Sequence, residues 1–454
     1  MFAELKLLLA KVSADYADLR YEVVRDTKID FDGKELTQMT ANTTDGYVLR
    51  VLKKGGLATV AFTKPADAGK AIETAEENAV LIGSSVKEPV KLAKTEVMKD
   101  SYKPKLNIDP REISIDEKLA LLAKYNQIPF KHQKIATTQM SYEERIREKY
   151  FLSTEGAQIQ EDLITTRVTG AIISQEGNLT QRIRVGFGGS DGYAKVQNRE
   201  DEVEEKTKIV IDMLRAKPVS AGNYRVILNQ RLAGVFTHEA FGHFSEADII
   251  EDSPSMRNKM QIGAKLGTDI LSIKDDPTIT NQLGHYKYDD EGVKACPTQL
   301  MKNGVLVGRL HSRRTAASYG EPLSGHSIAE DYRFAPIIRM GCIFIEPGAD
   351  TLESVLAKLG DGLYLINPMG GQTAGENFTF AAQYGYEVKN AKIGNMIRDI
   401  NISGNLYETL KNISAIANDL TLGEIGGCGK GQTNIRSCYG APHILVDRVV
   451  IGGR

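Results

Sequence analysis

Two histidines, a glutamate and two further acids lie within twelve residues, in "THEAFGHFSEAD" at 237–248. Imidazole and thiolate are the ligands zinc favours, and a hydrolytic zinc site keeps one position open for water. The ion brings the pKa of that water down to about 7, and a neighbouring carboxylate can relay its proton to a leaving amine. His238, His243 and Glu239 are the residue types that such chemistry needs. The usual arrangement is H-E-x-x-H, with both histidines on one face of a helix. Here three residues separate Glu239 from His243, so the histidines stand at i and i+5.

That spacing constrains the backbone. At about 100° per residue, positions i and i+5 of a regular helix point about 140° apart, against about 40° for i and i+4. A π-type widening absorbs one residue, and such turns cluster at functional sites. Gly242, just before the second histidine, lowers helix stability and eases a departure from regular geometry. The prediction is a widened turn or a break between 239 and 243. The competing reading is two structural histidines in an ordinary helix. A third ligand is also required. Glu246 and Asp248 are candidates on the same segment. Cys428, in the glycine-rich "GEIGGCGKGQTN", is a candidate far away in sequence. His311, His326 and His443 are further groups that could assist.

The elements that must position these residues fall into two halves. A first amphipathic helix precedes alternating segments over 20–63, where "FDGK", "TDGY" and "KKGG" read as turns of a small antiparallel meander. An Ala-rich helix over 66–83 should cross one face of that sheet. A polar stretch with Pro104 and Pro110 reads as a linker. Ser114 and Glu117 form a capping box for a second helix. Strands return over 133–188, turning at "LSTEGAQ" and "SQEGNLT". A charged helix spans 199–217 and ends at Pro218. Beyond it the strand "NYRVILN" (223–229) runs straight into the motif segment. Short strands follow, with turns at "DDEG" (289–292) and "KNG" (302–304), and with helices around 352–359 and 407–418.

The fold class is therefore α+β, with an N-terminal antiparallel sheet and helices, then a C-terminal β-rich domain carrying the metal-motif helix. The domains are 1–217, divisible into 1–100 and 105–217, and 218–454. The chain's 454 residues agree with more than one core. Lys and Arg number 57 against 59 Asp and Glu, a net charge of −2, so no field draws nucleic acid and no direct nucleic-acid partner is expected. No apolar run approaches the roughly 18 residues of a membrane helix. The four cysteines include no C-x-x-C and resemble no disulfide framework, which with the N-terminal pattern implies a cytoplasmic protein.

"HEAFGHFSEAD" resembles the H-E-x-x-x-H signature of the TldD/TldE (PmbA) family of zinc metallopeptidases. "YDDEGVKACPTQLMKNGVLVGRL" (288–310), "RMGCIFIEPG" (339–348), "GENFTFAAQYGYEVKNAKIG" (375–394), "ISGNLYETLKNI" (402–413) and "CGKGQ" (428–432) resemble its later blocks in order. The resemblance implies zinc held by His238, His243 and Cys428, with Glu239 as the catalytic base activating a zinc-bound water. Cys438 is a second thiol that the family pattern does not include. An intact motif is similar to the TldD-type subunit. That implies a homodimer, or a heterodimer with a motif-lacking TldE-type paralogue, and a substrate channel and dimer contacts formed by the N-terminal part. The function implied is zinc-dependent hydrolysis of unfolded or leader-type peptides bound in extended form. Donors to the oxyanion would come from His311, His326, Tyr439, Arg313, Arg314 or Arg333. The alternative is a non-catalytic scaffold or regulatory partner with a structural metal.

Overall fold

Long strands dominate the first half of the computed structural model, which describes residues 1–251, 253–433 and 435–452. Tyr16–Asp32, Glu35–Lys53, Ile135–Ser153 and Gln158–Glu176 run 17 to 19 residues each. They pair in the order 56–62, 35–53, 16–32, 135–153, 158–176 as an antiparallel sheet, and 179–189 is the hairpin partner of 158–176. Lys99–Tyr102 adds to the strand at 158–161 in parallel. The helix Ala68–Ser85 lays its small residues Ala75 and Ala79 against the strands 35–53 and 56–62. The helix Ile115–Gln127 opens on the reciprocal Ser114–Glu117 cap and buries Leu122 and Tyr125 against Val168, Ile183 and Phe187.

Three expectations are corrected. "TDGY" is no turn: Glu35–Lys53 passes through it, pairing Asp45 with Val23 and Gly46 with Glu22. A Cβ at Gly46 would lie 2.3 Å from the Tyr332 ring, so this glycine answers to close packing rather than to chain reversal. The charged helix stops at Asp212, and Lys217–Pro218 is already a short strand alongside Ile397–Arg398. The helix expected over 407–418 covers only Leu406–Lys411, after which Ile413–Ile416 pairs with 444–446. There Ile413 and Ile416, both β-branched and buried, favour pairing with the neighbouring strand over helical periodicity.

In the second half one sheet closes on itself. The strand 362–374 pairs with 222–228 on one side and with 377–389 on the other. The strand 377–389 pairs with 400–405, that with 444–452, and 444–452 returns to 222–228. Phe378, Phe380, Ile402, Ile444 and Ile451 are buried here. A second, six-stranded sheet contains Ile273–Asp275, Cys342–Ile345 and Cys438–Ala441. The motif segment is wedged between the two sheets. Phe236 meets Phe378 and Phe380 edge-on, at 5.4 and 6.5 Å between ring centroids.

Two glycines permit that fit. A Cβ on Gly234 would come 3.0 Å from Gly440 Cα. One on Gly242 would come 2.1 Å from Met340 Sδ and 3.0 Å from Ile343 Cδ1. Gly242 has ordinary helical angles, φ −57° and ψ −48°, so it supplies room rather than flexibility.

The halves are joined by buried charge. The 289–292 turn reaches the first sheet, where Arg147 Nη2 bonds Glu22 at 2.6 Å, Lys149 bridges Glu161 and Asp290 at 3.1 Å each, and Arg50 bonds Asp18 and Glu291 at 2.5 and 2.6 Å. None of these side chains is more than 4% exposed. Burial opposes charge on Asp290, but Lys149, Arg20 and Arg147 hold its carboxyl well below the usual range.

Breaking such a cluster from one side strands the opposite charge. Arg147→Met should cost about 3–5 kcal/mol, read as a lower urea midpoint, and an unchanged midpoint would contradict this role. Overpacking at the wedge is a separate test. Gly242→Ala should cost about 1–3 kcal/mol, with part of the loss recovered in the Gly242→Ala/Met340→Ala double variant. A fully stable single variant would show that the contact is loose.

Candidate metal centre

Strand 222–228 delivers the chain directly into the helix Gln230–Phe236. Asn229 caps that helix, accepting from Leu232 N at 3.1 Å. The same Asn229 side chain accepts from Asn367 N at 3.0 Å, so the helix start is fixed to the closed sheet. The backbone then widens into a π-helix over Thr237–Gly242 and tightens into a 3₁₀ turn at His243–Ser245. The extra residue in the motif is taken up inside that wide turn. His238 and His243 consequently face each other, with ring centroids 5.3 Å apart and planes at 84°.

Cys428 arrives from the opposite side, on a loop bridged to Ile435 in both directions: Cys428 N donates to Ile435 O at 3.0 Å and Ile435 N to Cys428 O at 3.4 Å. Its Sγ lies 3.4 Å from His243 Nε2. One donor atom from each of His238, His243 and Cys428 falls within 4.8 Å of the others, and they are the one such cluster among the described residues. Two ligands at zinc–sulfur and zinc–nitrogen lengths of about 2.3 and 2.0 Å stand about 3.5 Å apart in a tetrahedral site, so the thiol–imidazole separation fits one ion.

The donor chemistry fits as well. His238 Nδ1 is buried with no hydrogen-bond partner among the described residues, and burial holds this imidazole well below its ordinary pKa, in the neutral form that binds metals. At His243 burial also opposes charge. There the Cys428 and Glu246 partners prevail and push the pKa up to about 10, so the site attracts positive charge. The two imidazoles thus shift in opposite directions, one isolated by burial and the other facing negative groups.

Glu239 Oε2 lies 3.7 Å from His243 Nε2, and its side chain remains 32% exposed. Burial raises its carboxyl above the ordinary range, against the opposing pull of His243 and Arg339. Glu246 is fully buried and points Oε2 at His243 Nδ1, 3.4 Å away, the position of a carboxylate that orients a metal-binding histidine. Asp248 does not join the cluster; its carboxylate accepts from Lys430 at 2.9 Å.

The remaining candidates separate clearly. Cys438 lies in register with Cys342 on neighbouring strands, and its Sγ meets Gln282 and Gly423 instead of the histidines. His311 is held by Thr315 and Glu321, His326 by Asp275, and His443 by Asp419 and Tyr364. Arg313 pairs with Glu155, Arg314 with Glu251 and Arg333 with Asp331. Tyr439 alone of the proposed donors adjoins the cluster, its ring 5.4 Å from that of His238.

Two neighbours escaped the sequence reading. Lys430 bonds Glu246 at 2.8 Å, and the buried Arg339 approaches Glu246 Oε1 at 3.6 Å. A lone cation two residues after a cysteine in a glycine loop was the available signal for Lys430; nothing comparable marks Arg339.

Tyr439 also lines a cavity of about 60 Å³ with Arg184, Arg231, Asn367 and Gln383. Arg184, Val185 and Ile425 belong both to this cavity and to a groove of about 470 Å³ that crosses the first sheet past Ser141 and Asp30.

Comparison with known proteins identifies the family. Models of the PmbA/TldA metallopeptidase match residues 17–79 as domain 1, 108–229 as the central domain and 221–453 as the C-terminal domain. A Synechocystis protein named a metalloprotease is 32% identical over 443 residues, covering 97% of this chain and 95% of its own. A zinc metalloprotease TldD homolog of Saccharolobus solfataricus is 30% identical over 451 residues, covering 98% of each. Among solved structures, TldE from Thermococcus kodakarensis superposes with a TM-score of 0.80 at 20% identity, covering 99% of this chain and 100% of that one, which shows a shared fold. The chain belongs to the PmbA/TldD family of metallopeptidases.

Proposed function

We propose that this chain is a zinc-dependent peptidase acting on unfolded or leader-type peptides, with His238, His243 and Cys428 as ligands and Glu239 as general base. The observation that carries this reading is the convergence of two imidazoles and a remote thiol beside a partly exposed carboxylate. A zinc ion in such a donor set supplies Lewis acidity toward a carbonyl oxygen and acidifies water.

Glu239 takes the proton of the attacking water and hands it to the departing nitrogen. Its raised carboxyl pKa suits a group that must hold a proton between two transfers. Glu246 accepts from His243 Nδ1 and keeps Nε2 turned toward the thiol. Tyr439 is the donor we assign to the developing oxyanion. Burial pushes its phenol up to about 12, so it stays protonated.

Residues 218–454 form the metallopeptidase domain in this reading, and 1–217 supply the substrate channel and dimer contacts. An extended peptide would lie in the groove beside Arg184 and Ile425, recognised largely through its backbone. The partner is a second copy or a motif-lacking TldE-type paralogue. Four free thiols suit a cytoplasmic setting, and no helix among the described residues is long and apolar enough to cross a membrane. The non-catalytic alternative, a structural metal in a scaffold, needs a closed coordination sphere. Three donors rather than four, with Glu239 partly exposed beside them, favour catalysis.

Two measurements test the proposal. Metal analysis of purified protein should find zinc in the wild type and a clear loss in His238→Ala and Cys428→Ala; equal zinc in all three would reject the ligand set. Glu239→Gln should keep zinc and slow peptide cleavage by roughly 10²–10⁴-fold, and undiminished cleavage would remove Glu239 from its role.

A further inference from the structure

The Cys428 loop poses a mechanical problem. Glycines occupy 423, 426, 427, 429 and 431, and Gly431 adopts φ +73°. Such a chain loses much conformational entropy on ordering. A metal ligand nevertheless has to be held to within a few tenths of an ångström of its place. On the side away from the histidines the loop is tied to 330–335: Gln432 Nε2 donates to Ala335 O at 2.8 Å, and Gln432 Oε1 accepts from Glu330 N at 2.7 Å. On the motif side the polar ties among the described residues are the Cys428–His243 contact itself and one lysine.

That lysine is Lys430. Its Nζ lies 2.8 Å from Glu246 Oε2 and 2.9 Å from both carboxylate oxygens of Asp248. Glu246 is fully buried, while the Lys430 side chain is 22% exposed. The oxygen of Glu246 that receives Lys430 is the same one that faces His243 Nδ1. A closed circuit results: Cys428, the backbone through Gly429, Lys430, Glu246, His243, and back to the thiol at 3.4 Å. The second anchor, Asp248, fixes the direction from which the ammonium approaches.

We propose that Lys430 is the positioning residue for Cys428, a clasp that ties the glycine loop to the motif helix through Glu246 and Asp248 and so sets the thiol–imidazole separation. This inference rests on the metal-ligand reading above and adds a function for a side chain that touches neither metal nor substrate. A charged hydrogen bond to a buried carboxylate is the strong kind. Partners of this type, one step removed from the metal, typically change metal affinity by about 10–100-fold.

The test compares full-length wild type, Lys430→Met, Lys430→Arg, Asp248→Asn and Cys428→Ala by zinc affinity in a competing chelator. The thiolate-to-metal charge-transfer band of the cobalt(II)-loaded proteins is recorded alongside. Lys430→Met should bind zinc about 10–100-fold more weakly and lose much of the cobalt–thiolate band, with an unchanged far-ultraviolet circular dichroism spectrum. Lys430→Arg should restore part of both. Asp248→Asn, which keeps the Glu246 tie and the buried packing, should show a smaller loss and serves if Lys430→Met fails to fold. Wild-type affinity and an intact band in Lys430→Met and Asp248→Asn, with Cys428→Ala impaired, would overturn the clasp while leaving the ligand set standing. Wild-type affinity in Cys428→Ala would overturn both.

Discussion

A regular α-helix through residues 237–243 would aim the imidazoles of His238 and His243 about 140° apart, and no single ion could meet both. The π-turn over Thr237–Gly242 is therefore the constraint on which the rest of the centre depends. It brings the rings to 5.3 Å and leaves Glu239 beside them. A wide turn is a poor helix on its own account, and it persists here because tertiary packing encloses it. Phe236 sits against Phe378 and Phe380, Gly234 against Gly440, and Gly242 against Met340 and Ile343. Ala240, Phe241 and Gly242 are buried within it, as is His238. The closed sheet and the six-stranded sheet thus act as the two jaws of a mould.

The same logic of distant groups holding a local geometry recurs at the domain scale. The 289–292 turn carries Asp290 and Glu291 into the first sheet, where Lys149, Arg147, Arg20 and Arg50 meet them. Buried ion pairs are weak evidence for stability, but pulling one partner away leaves an uncompensated buried charge, which is costly. The groove beside Arg184 and the cavity at Tyr439 share residues across this junction.

Much of this was legible in the sequence, and the residues show why. The i, i+5 spacing demanded a widened turn, because helical periodicity is a local rule. Ser114 with Glu117, and the positive-φ turns at Gly33, Gly177 and Asn303–Gly304, were equally local and equally readable. Gly242 was noticed for its flexibility, whereas the structure uses its lack of a side chain; glycine in a sequence does not say which. Gly46 misled in the same way, being a packing glycine read as a turn. The ISAI run at 413–416 was ambiguous because short apolar segments carry no decisive period. Cys428 needed the family resemblance, and Lys430, Arg339 and the buried ion cluster depend on contacts between segments up to hundreds of residues apart. Charge pairing at that range has no sequence signature.

One ion held by His238, His243 and Cys428, with a position left open beside Glu239, would have a distinctive coordination shell. X-ray absorption at the zinc edge of the zinc-loaded protein reads that coordination directly. The expected spectrum shows one sulfur neighbour, two imidazoles and one light atom belonging to neither. A shell without sulfur, or one filled by a fourth protein ligand, would contradict it.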